Sequence, residues 1–253
     1  MKGWKEQLTK AANAARSAGQ WSVTTGNTAV LASTAIGLSV VDPGGFRTYH
    51  LGRFWSQMNL KLLLSDLAVV GTENVEPGAP YVAMANHQSH VDIWAVYAAL
   101  PLSIRWVMKQ ELRRIPIFGY CCDRMGHLYV QRGNTDSARR SLERAAESIA
   151  SGTTVVFFPE GTRSVDGELQ AFKTGGFRLA LQAGVPVLPV SIHGTREILP
   201  AGDWHCRSGH IKVAIGAPIP TTGRGRERED LNALMQETHE AIAKGLERAK
   251  SLE

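Results

Sequence analysis

Cysteine is scarce in this sequence, and the few cysteines do not form a recognisable framework. The 253 residues include three, an adjacent pair at Cys121 and Cys122 and a third at Cys206. An odd number with an adjacent pair suits neither a set of disulfides nor the spaced ligands of a zinc site. The histidines between residues 193 and 210 match no metal-binding spacing either. The sequence therefore favours a reducing compartment and predicts no metal site.

Motifs that define several enzyme classes are also missing. The chain contains no G-x-S-x-G elbow, no P-loop and no G-x-G-x-x-G after a predicted strand. Acyl-enzyme chemistry on a serine, use of ATP and dinucleotide redox chemistry therefore have no support. The net charge of +5 at pH 7 favours an acidic partner, either a phosphate-bearing small molecule or an anionic membrane face. Nucleic acid is not expected, because acids neutralise the arginine run in "GRGRERED".

The N-terminal part has no apolar run long enough to span a membrane. The run at 29–41 covers about 13 residues and reaches roughly 20 Å as a helix, short of the roughly 30 Å hydrocarbon core. The next stretch mixes aromatic and cationic side chains, as membrane interfaces do; these are Phe46, Arg47, Arg53, Phe54, Trp55 and Lys61. We expect residues 1–62 to be a helical segment that docks on anionic lipid. Whether residues 27–41 enter one leaflet or only cap the protein core stays open.

From about residue 67, short β-rich runs alternate with helical patterns. Strands are predicted at 67–75, 79–86, 104–108, 153–158, 185–192 and 210–216, and helices at 90–100, 135–152, 174–184 and 228–250. Such alternation predicts an α/β domain at residues 63–253, with a mixed central sheet flanked by helices.

The stretch "ANHQSHVDIW" at 85–94 places polar residues where a strand gives way to a helix. If Ser89 caps that helix, Asp92 lies at its third position and His87 on the turn before it. The carboxylate then holds one imidazole nitrogen and leaves the other free as a base. The alternative is structural, because Ser89-x-x-Asp92 resembles a capping box. The stretch alone does not decide between them.

Two further blocks offer groups that bind anions. Residues 107–133 are locally basic, and Lys109 and Arg132, each at the end of a β run, are the better candidates. In "VVFFPEGTRS" an apolar strand runs into a turn where Arg163 can grip a phosphate with two parallel hydrogen bonds. The alternative is a local ion pair between Glu160 and Arg163. Lys173, before a Gly-Gly helix entry, is a further anion candidate.

Taken in order, "NHQSHVD", the Lys109 to Arg132 block, "FPEGTRS" and "VPVLPV" resemble the four blocks of the glycerolipid acyltransferases, specifically the 1-acyl-sn-glycerol-3-phosphate acyltransferase family, over about residues 60–220. The resemblance implies transfer of a fatty acyl group from acyl-CoA or acyl carrier protein to the free hydroxyl of lysophosphatidic acid, with no cofactor. It implies that His87 and Asp92 are catalytic. The implied phosphate-binding residues are Lys109, Arg132, Glu160, Gly161, Thr162 and Arg163. Gln131 stands where family members often carry an acid, which weakens the assignment of Arg132.

The resemblance also implies a peripheral or monotopic protein on the cytoplasmic face of the cell membrane. Three alternatives stay open from the sequence. The acceptor can be another lyso-lipid, such as lyso-ornithine lipid; the same base can serve a thioesterase or lipid hydrolase; or the chain can be a non-enzymatic membrane-binding module.

Overall fold

The computed structural model describes residues 2–42, 45–131 and 135–252. Two helices, α1 (Lys2–Leu38) and α2 (Phe46–Leu62), precede an α/β region. The strands of that region are β1 (Asp66–Val70), β2 (Val82–Ala85), β3 (Ile104–Lys109), β4 (Leu128–Val130), β5 (Thr154–Phe157), β6 (Val187–His193) and β7 (His210–Ile215). Its helices are α3 (Val91–Ala99), α4 (Phe118–Arg124), α5 (Thr135–Ala150), α6 (Gly175–Ala183), α7 (Thr195–Ile198) and α8 (Arg228–Lys250).

The strands form one seven-stranded mixed sheet, which confirms the predicted fold class. Their order is β1-β7-β6-β2-β5-β3-β4. Neighbouring strands run parallel from β6 through to β4, and the pair β6 and β7 is antiparallel. The carboxyl ends of five adjacent strands therefore lie at one edge, which is where open α/β sheets bind ligands.

Strand β2 is buried along its whole length because helices cover both faces of the sheet. Successive side chains of a strand point to opposite faces. Ala83 and Ala85 accordingly join the apolar cluster that contains α3, whereas Val82 and Met84 join the cluster that contains α6 and α8. The strand thus packs into both halves of the core, so the residues that follow β2 are attached to a rigidly held strand.

Gly176 allows helix α6 to approach the sheet closely. A Cβ atom on this residue would lie 2.5 Å from Cε of Met84 and 3.0 Å from Cγ of Phe157. Contacts that short force the neighbours to move, so a larger residue would push the helix off β2 and β5. Gly184 ends the same helix with φ of 67°, as the predicted helix end at this glycine requires.

Helices α1 and α2 pack together through polar as well as apolar side chains. Nδ2 of Asn27 donates to Oδ1 of Asn59 (3.1 Å), and the indole of Trp55 donates to the hydroxyl of Thr28 (2.9 Å). Helix α2 also contributes Tyr49 to the main core cluster. The two helices therefore cap the core, and the proposed division of the chain after residue 62 stays a prediction. Over the described ranges, no helix is both long and apolar enough to cross a membrane.

Several details differ from the sequence-based expectations. The first strand stops at Val70 because Gly71 has φ of 82°, and residues 72–74 form a short 3-10 helix instead. The aromatic ring of Trp55, expected at a lipid headgroup, packs inward edge-to-face against Trp94 and Tyr97. Its N–H donates to a protein oxygen there, so Trp55 does not depend on the membrane interface for a hydrogen-bond acceptor.

Candidate active site

The parallel strands bring four separated segments to one edge of the sheet. The order β6-β2-β5-β3 places the residues that follow each strand side by side. Thr195 follows β6, His87 follows β2, Arg163 lies on the loop after β5, and Lys109 ends β3. These four residues are far apart in the sequence, and the strand order is what brings them close together in space.

The imidazole of His87 is held by the carboxylate of Asp92. Nδ1 of His87 lies 2.8 Å from Oδ2 of Asp92. The same oxygen accepts the backbone N–H groups of Gln88 (2.7 Å) and Ser89 (2.8 Å), and Oδ1 accepts the hydroxyl of Thr195. A carboxylate is an acceptor, and this one also accepts three other hydrogen bonds, so the imidazole carries its proton on Nδ1 and Nε2 has a free lone pair. His87 is therefore arranged as a base.

The capping interpretation of this stretch is correct only in part, because the N-cap residue of helix α3 is His90 and not Ser89. Helix α3 begins at Val91, whose N–H donates to Oγ of Ser89 (3.1 Å), and Ser89 in turn donates to the carbonyl of Leu199 (2.7 Å). Asp92 is consequently the second helical residue, not the third as expected. Its carboxylate caps the turn and orients the histidine at the same time, so the two interpretations are not exclusive.

A short His–Asp distance alone does not identify this site. His205 lies 2.7 Å from Asp203, and His210 lies 2.7 Å from Asp66. Both of those carboxylates are partly or largely exposed, whereas the side chain of Asp92 is fully buried. Of these three pairs, the one at His87 borders the cavity described below.

Two residues on the loop after β5 fix the histidine further. The ring of Phe158 stacks on the imidazole of His87 with centroids 3.9 Å apart and an angle of 8°. Glu160 is buried, and its carboxylate accepts the N–H of His87 (2.6 Å) and the N–H of Gln170 (3.0 Å). Burial raises the pKa of this carboxyl, which the two N–H groups oppose. No local sequence pattern predicts either contact.

Within the described part of the chain, Glu160 does not form the ion pair with Arg163 that was considered for it, because both carboxylate oxygens bind backbone N–H groups. The structure places Glu160 as a support beneath His87. A direct contact with phosphate stays a prediction.

The cationic candidates gather around the same cavity. Its lining includes Lys109, Gly161, Thr162 and Arg163, as well as Lys173. Gly161 has φ of 73°, and a Cβ atom there would lie 2.7 Å from Nζ of Lys173, so this glycine allows the ammonium group to lie against the turn. Arg132 lies outside the described residues, and its assignment stays a prediction.

The pKa of His90 is affected by its burial and by the positive charge of this region. It is lowered to about 4, first by removal from water and then by the charges of Arg163 and His87. A neutral His90 has no carboxylate that fixes its tautomer, unlike His87. An anion is therefore favoured at this edge of the sheet.

The cavity has a volume of about 530 Å³, within the range of ligand pockets. Besides the groups already named, its wall is largely apolar and comes from the N-terminal helices and α4. Contributors include Leu31, Ala35, Trp55, Cys121 and Met125. One cavity thus joins an oriented histidine, three cationic side chains and an apolar wall.

Comparisons with known proteins agree with this geometry. The model of the family described as Acyltransferase matches residues 66–193, which contain the candidate catalytic pair and both cationic loops. The solved structure of a 1-acyl-sn-glycerophosphate acyltransferase from Thermotoga maritima superposes with a TM-score of 0.83 at 27% identity, covering 96% of this chain and 98% of that one.

Curated relatives are similar over about two thirds of this chain. A chloroplast 1-acyl-sn-glycerol-3-phosphate acyltransferase of Brassica napus is 34% identical over 68% of this chain and 51% of its own length. The human alpha form is 31% identical over 61% and 54%, and the Pseudomonas aeruginosa protein 34% over 62% and 60%. The chain thus spans about half the length of the curated relatives it matches.

Proposed function

Because the chain belongs to the acyltransferase family, we propose that it transfers a fatty acyl group from an acyl thioester to the free hydroxyl of lysophosphatidic acid, giving phosphatidic acid. The observation that carries this proposal is the cavity at the carboxyl edge of the sheet. It is bordered by the oriented imidazole of His87, by the cations Lys109 and Arg163, and by an apolar wall. Those three features match the hydroxyl, the phosphate and the hydrocarbon chain of such a reaction.

In the proposed mechanism, Nε2 of His87 takes the proton of the acceptor hydroxyl while the hydroxyl oxygen attacks the thioester carbonyl. Asp92 keeps Nδ1 protonated and stabilises the imidazolium that forms. The tetrahedral intermediate then expels the thiolate, which takes the proton from the imidazolium. The chain returns to its starting state, and no covalent acyl-enzyme forms.

The guanidinium of Arg163 is the proposed principal partner of the acceptor phosphate. A planar guanidinium binds two phosphate oxygens at once, whereas ammonium groups such as those of Lys109 and Lys173 act as point charges. All three line the cavity beside His87. Holding the phosphate there brings the hydroxyl of the same small molecule within reach of the base.

We further propose that α1 and α2 dock the protein on the cytoplasmic face of the cell membrane, as a peripheral or monotopic protein. Exposed apolar residues lie on both helices, among them Val23, Val30 and Phe54. In a helix of a soluble protein such side chains usually face the core. When the protein is docked in this way, the apolar wall of its cavity receives acyl chains from the bilayer or from a carrier.

A lipid-resolved assay of the purified protein tests the proposed reaction. Acyl-CoA and acyl carrier protein are offered as donors, with lysophosphatidic acid, other lysophospholipids and lyso-ornithine lipid as acceptors. The proposal expects phosphatidic acid as the main product and little free fatty acid. Release of fatty acid that does not depend on an acceptor would instead show a thioesterase or hydrolase, and no turnover with any pair would leave a membrane-binding module.

A further inference from the structure

Three buried polar side chains interrupt the apolar wall of the cavity. Tyr97 of α3, Trp106 of β3 and His127 before β4 all line it, and each is at most 8% exposed. The hydroxyl of Tyr97 lies 3.0 Å from Nε2 of His127. The rings of Tyr97 and Trp106 lie 5.8 Å apart. The mechanism proposed above uses none of these groups.

The hydrogen bonds of His127 fix which of its nitrogens carries the proton. The backbone N–H of Trp106 donates to Nδ1 (3.3 Å), so Nδ1 is the acceptor and Nε2 bears the hydrogen. Burial and the charge of Arg105 lower the pKa of His127 to about 3, which keeps the ring neutral. Nε2 therefore donates to the hydroxyl of Tyr97.

This arrangement leaves the cluster with more donors than acceptors. The oxygen of Tyr97 accepts from His127, so its own O–H must find another acceptor. The indole N–H of Trp106 lies beside that hydroxyl but outside the geometry of a good hydrogen bond, and it has no other partner in the described part of the chain. A buried donor without a partner destabilises the structure that contains it. Two donors in the cavity wall therefore lack an oxygen acceptor.

Stacked aromatic rings connect the cluster of Tyr97, Trp106 and His127 to His87. Phe158 stacks on His87 and also on Trp106, with centroids 5.3 Å apart in the second contact. One aromatic ring therefore separates Trp106 from His87. A chain whose thioester carbonyl lies at His87 passes the cluster near its carbonyl end, and not at its methyl end.

We propose that this cluster selects acyl donors with a hydroxyl group near the thioester, such as 3-hydroxyacyl chains. The chain hydroxyl accepts from Tyr97 and Trp106, which satisfies both donors. An unsubstituted chain leaves them unpaired beside hydrocarbon, and a buried polar group without a partner discriminates against such a substrate. This inference deepens the proposed function and rests on it.

Competition between donors tests the inference. Wild-type protein is given equal amounts of 3-hydroxyhexadecanoyl-CoA and hexadecanoyl-CoA with lysophosphatidic acid, and the ratio of the two products gives the ratio of kcat/KM values. We expect a preference of about tenfold or more for the hydroxylated donor, the effect of one to two net hydrogen bonds. The ω-hydroxylated chain carries the same group at the far end and is expected to show no preference.

Trp106→Phe keeps the ring and removes the N–H, so the preference should fall by about threefold or more. Tyr97→Phe serves as a second, independent variant should the first fail to fold. Trp94→Phe makes the same change at a buried tryptophan outside the cavity lining and should keep the wild-type ratio.

Two results would overturn the inference while leaving the proposed function intact. One is efficient transfer of both chains by the wild type without preference, as expected if the cluster binds only water. The other is a preference that survives in both Trp106→Phe and Tyr97→Phe. Failure to transfer either chain to lysophosphatidic acid would instead refute the proposed function.

Discussion

At the scale of single residues, the carboxylate of Asp92 serves two structures at once. One of its oxygens binds two backbone N–H groups of the turn and Nδ1 of His87, and the other binds Thr195. The local turn therefore holds its shape with the same atom that sets the tautomer of the base. A rigid support of this kind keeps the imidazole in one orientation before substrate binds.

Glu160 accepts the backbone N–H of the same histidine, so replacing Glu160 should lower the rate of the reaction. In Glu160→Gln one carboxylate oxygen becomes an NH2 group, which meets a backbone N–H of His87 or Gln170 donor to donor. We expect a loss of about 1–3 kcal/mol in the free energy of unfolding, with a lower kcat. Urea denaturation and initial rates measure both, with the exposed Glu168→Gln as control. Unchanged values for both quantities would mean that Glu160 does not support the base.

Arg163 should affect binding of the acceptor more than the chemistry. The proposed phosphate contact is present in the ground state and in the transition state alike, so Arg163→Ala should raise the KM for lysophosphatidic acid and change kcat less. Initial rates over a range of acceptor concentrations measure this. Arg207→Ala, which removes an exposed arginine paired with Asp203, is the matched control. An acceptor KM equal to that of the wild type would remove Arg163 from the phosphate site.

At the scale of elements, α1 packs against α2 and leaves valines exposed on its other faces. Val30 is 65% exposed, so Val30→Glu should leave the free energy of unfolding within about 0.5 kcal/mol of wild type. A charge on a membrane-facing surface should nevertheless weaken binding to vesicles of phosphatidylglycerol and phosphatidylethanolamine, measured by co-flotation. Asn232→Glu adds the same charge to an exposed position of α8 and should bind normally. Equal binding of the two variants would show that this face of α1 does not contact lipid.

The elements themselves were largely readable from the sequence. Apolar periodicity located α8 at residues 228–250, and the face of this helix that carries Leu234 and Ile242 is buried. The short α4 was not predicted, because seven residues with glycine and two cysteines carry no helical period. Predicted strands state where β structure occurs, but not which strands are neighbours.

The site was only partly predictable because the sequence does not reveal the order of the strands in the sheet. His87 and Asp92 are close in the sequence, and local helix geometry was enough to pair them. Thr195 lies 103 positions from Asp92 and reaches it because β6 lies beside β2, which no local pattern states. Phe158 stacks on His87 for the same reason, because β5 lies on the other side of β2.

At the scale of the whole molecule, a buried neutral histidine makes stability depend on pH. The usual pKa of a histidine is 6.5, whereas that of His127 is lowered to about 3 in the fold. Between these values the unfolded chain binds a proton at this position and the folded chain does not. The free energy of unfolding therefore falls as the pH falls from about 6.5 towards 3, by at most about 1.4 kcal/mol per pH unit from this group.

His127→Gln should remove that contribution. The variant loses hydrogen bonds and is expected to be less stable at pH 7, but its stability should decline less steeply on acidification than that of the wild type. Urea denaturation at a series of pH values between 7 and 4 gives both slopes, and carboxyl groups contribute equally to each. Parallel slopes would mean that His127 takes up a proton in the folded state as easily as in the unfolded state.

The most direct test of the account is the rate of acyl transfer to lysophosphatidic acid by His87→Ala, compared with His205→Ala. Both changes remove a histidine paired with an aspartate, but only the first lies at the cavity. We predict a loss of about a hundred- to ten-thousandfold in kcat for His87→Ala, with the fold retained, and a wild-type rate for His205→Ala. A folded His87→Ala protein that keeps most of the wild-type rate would contradict the central claim that this imidazole is the base.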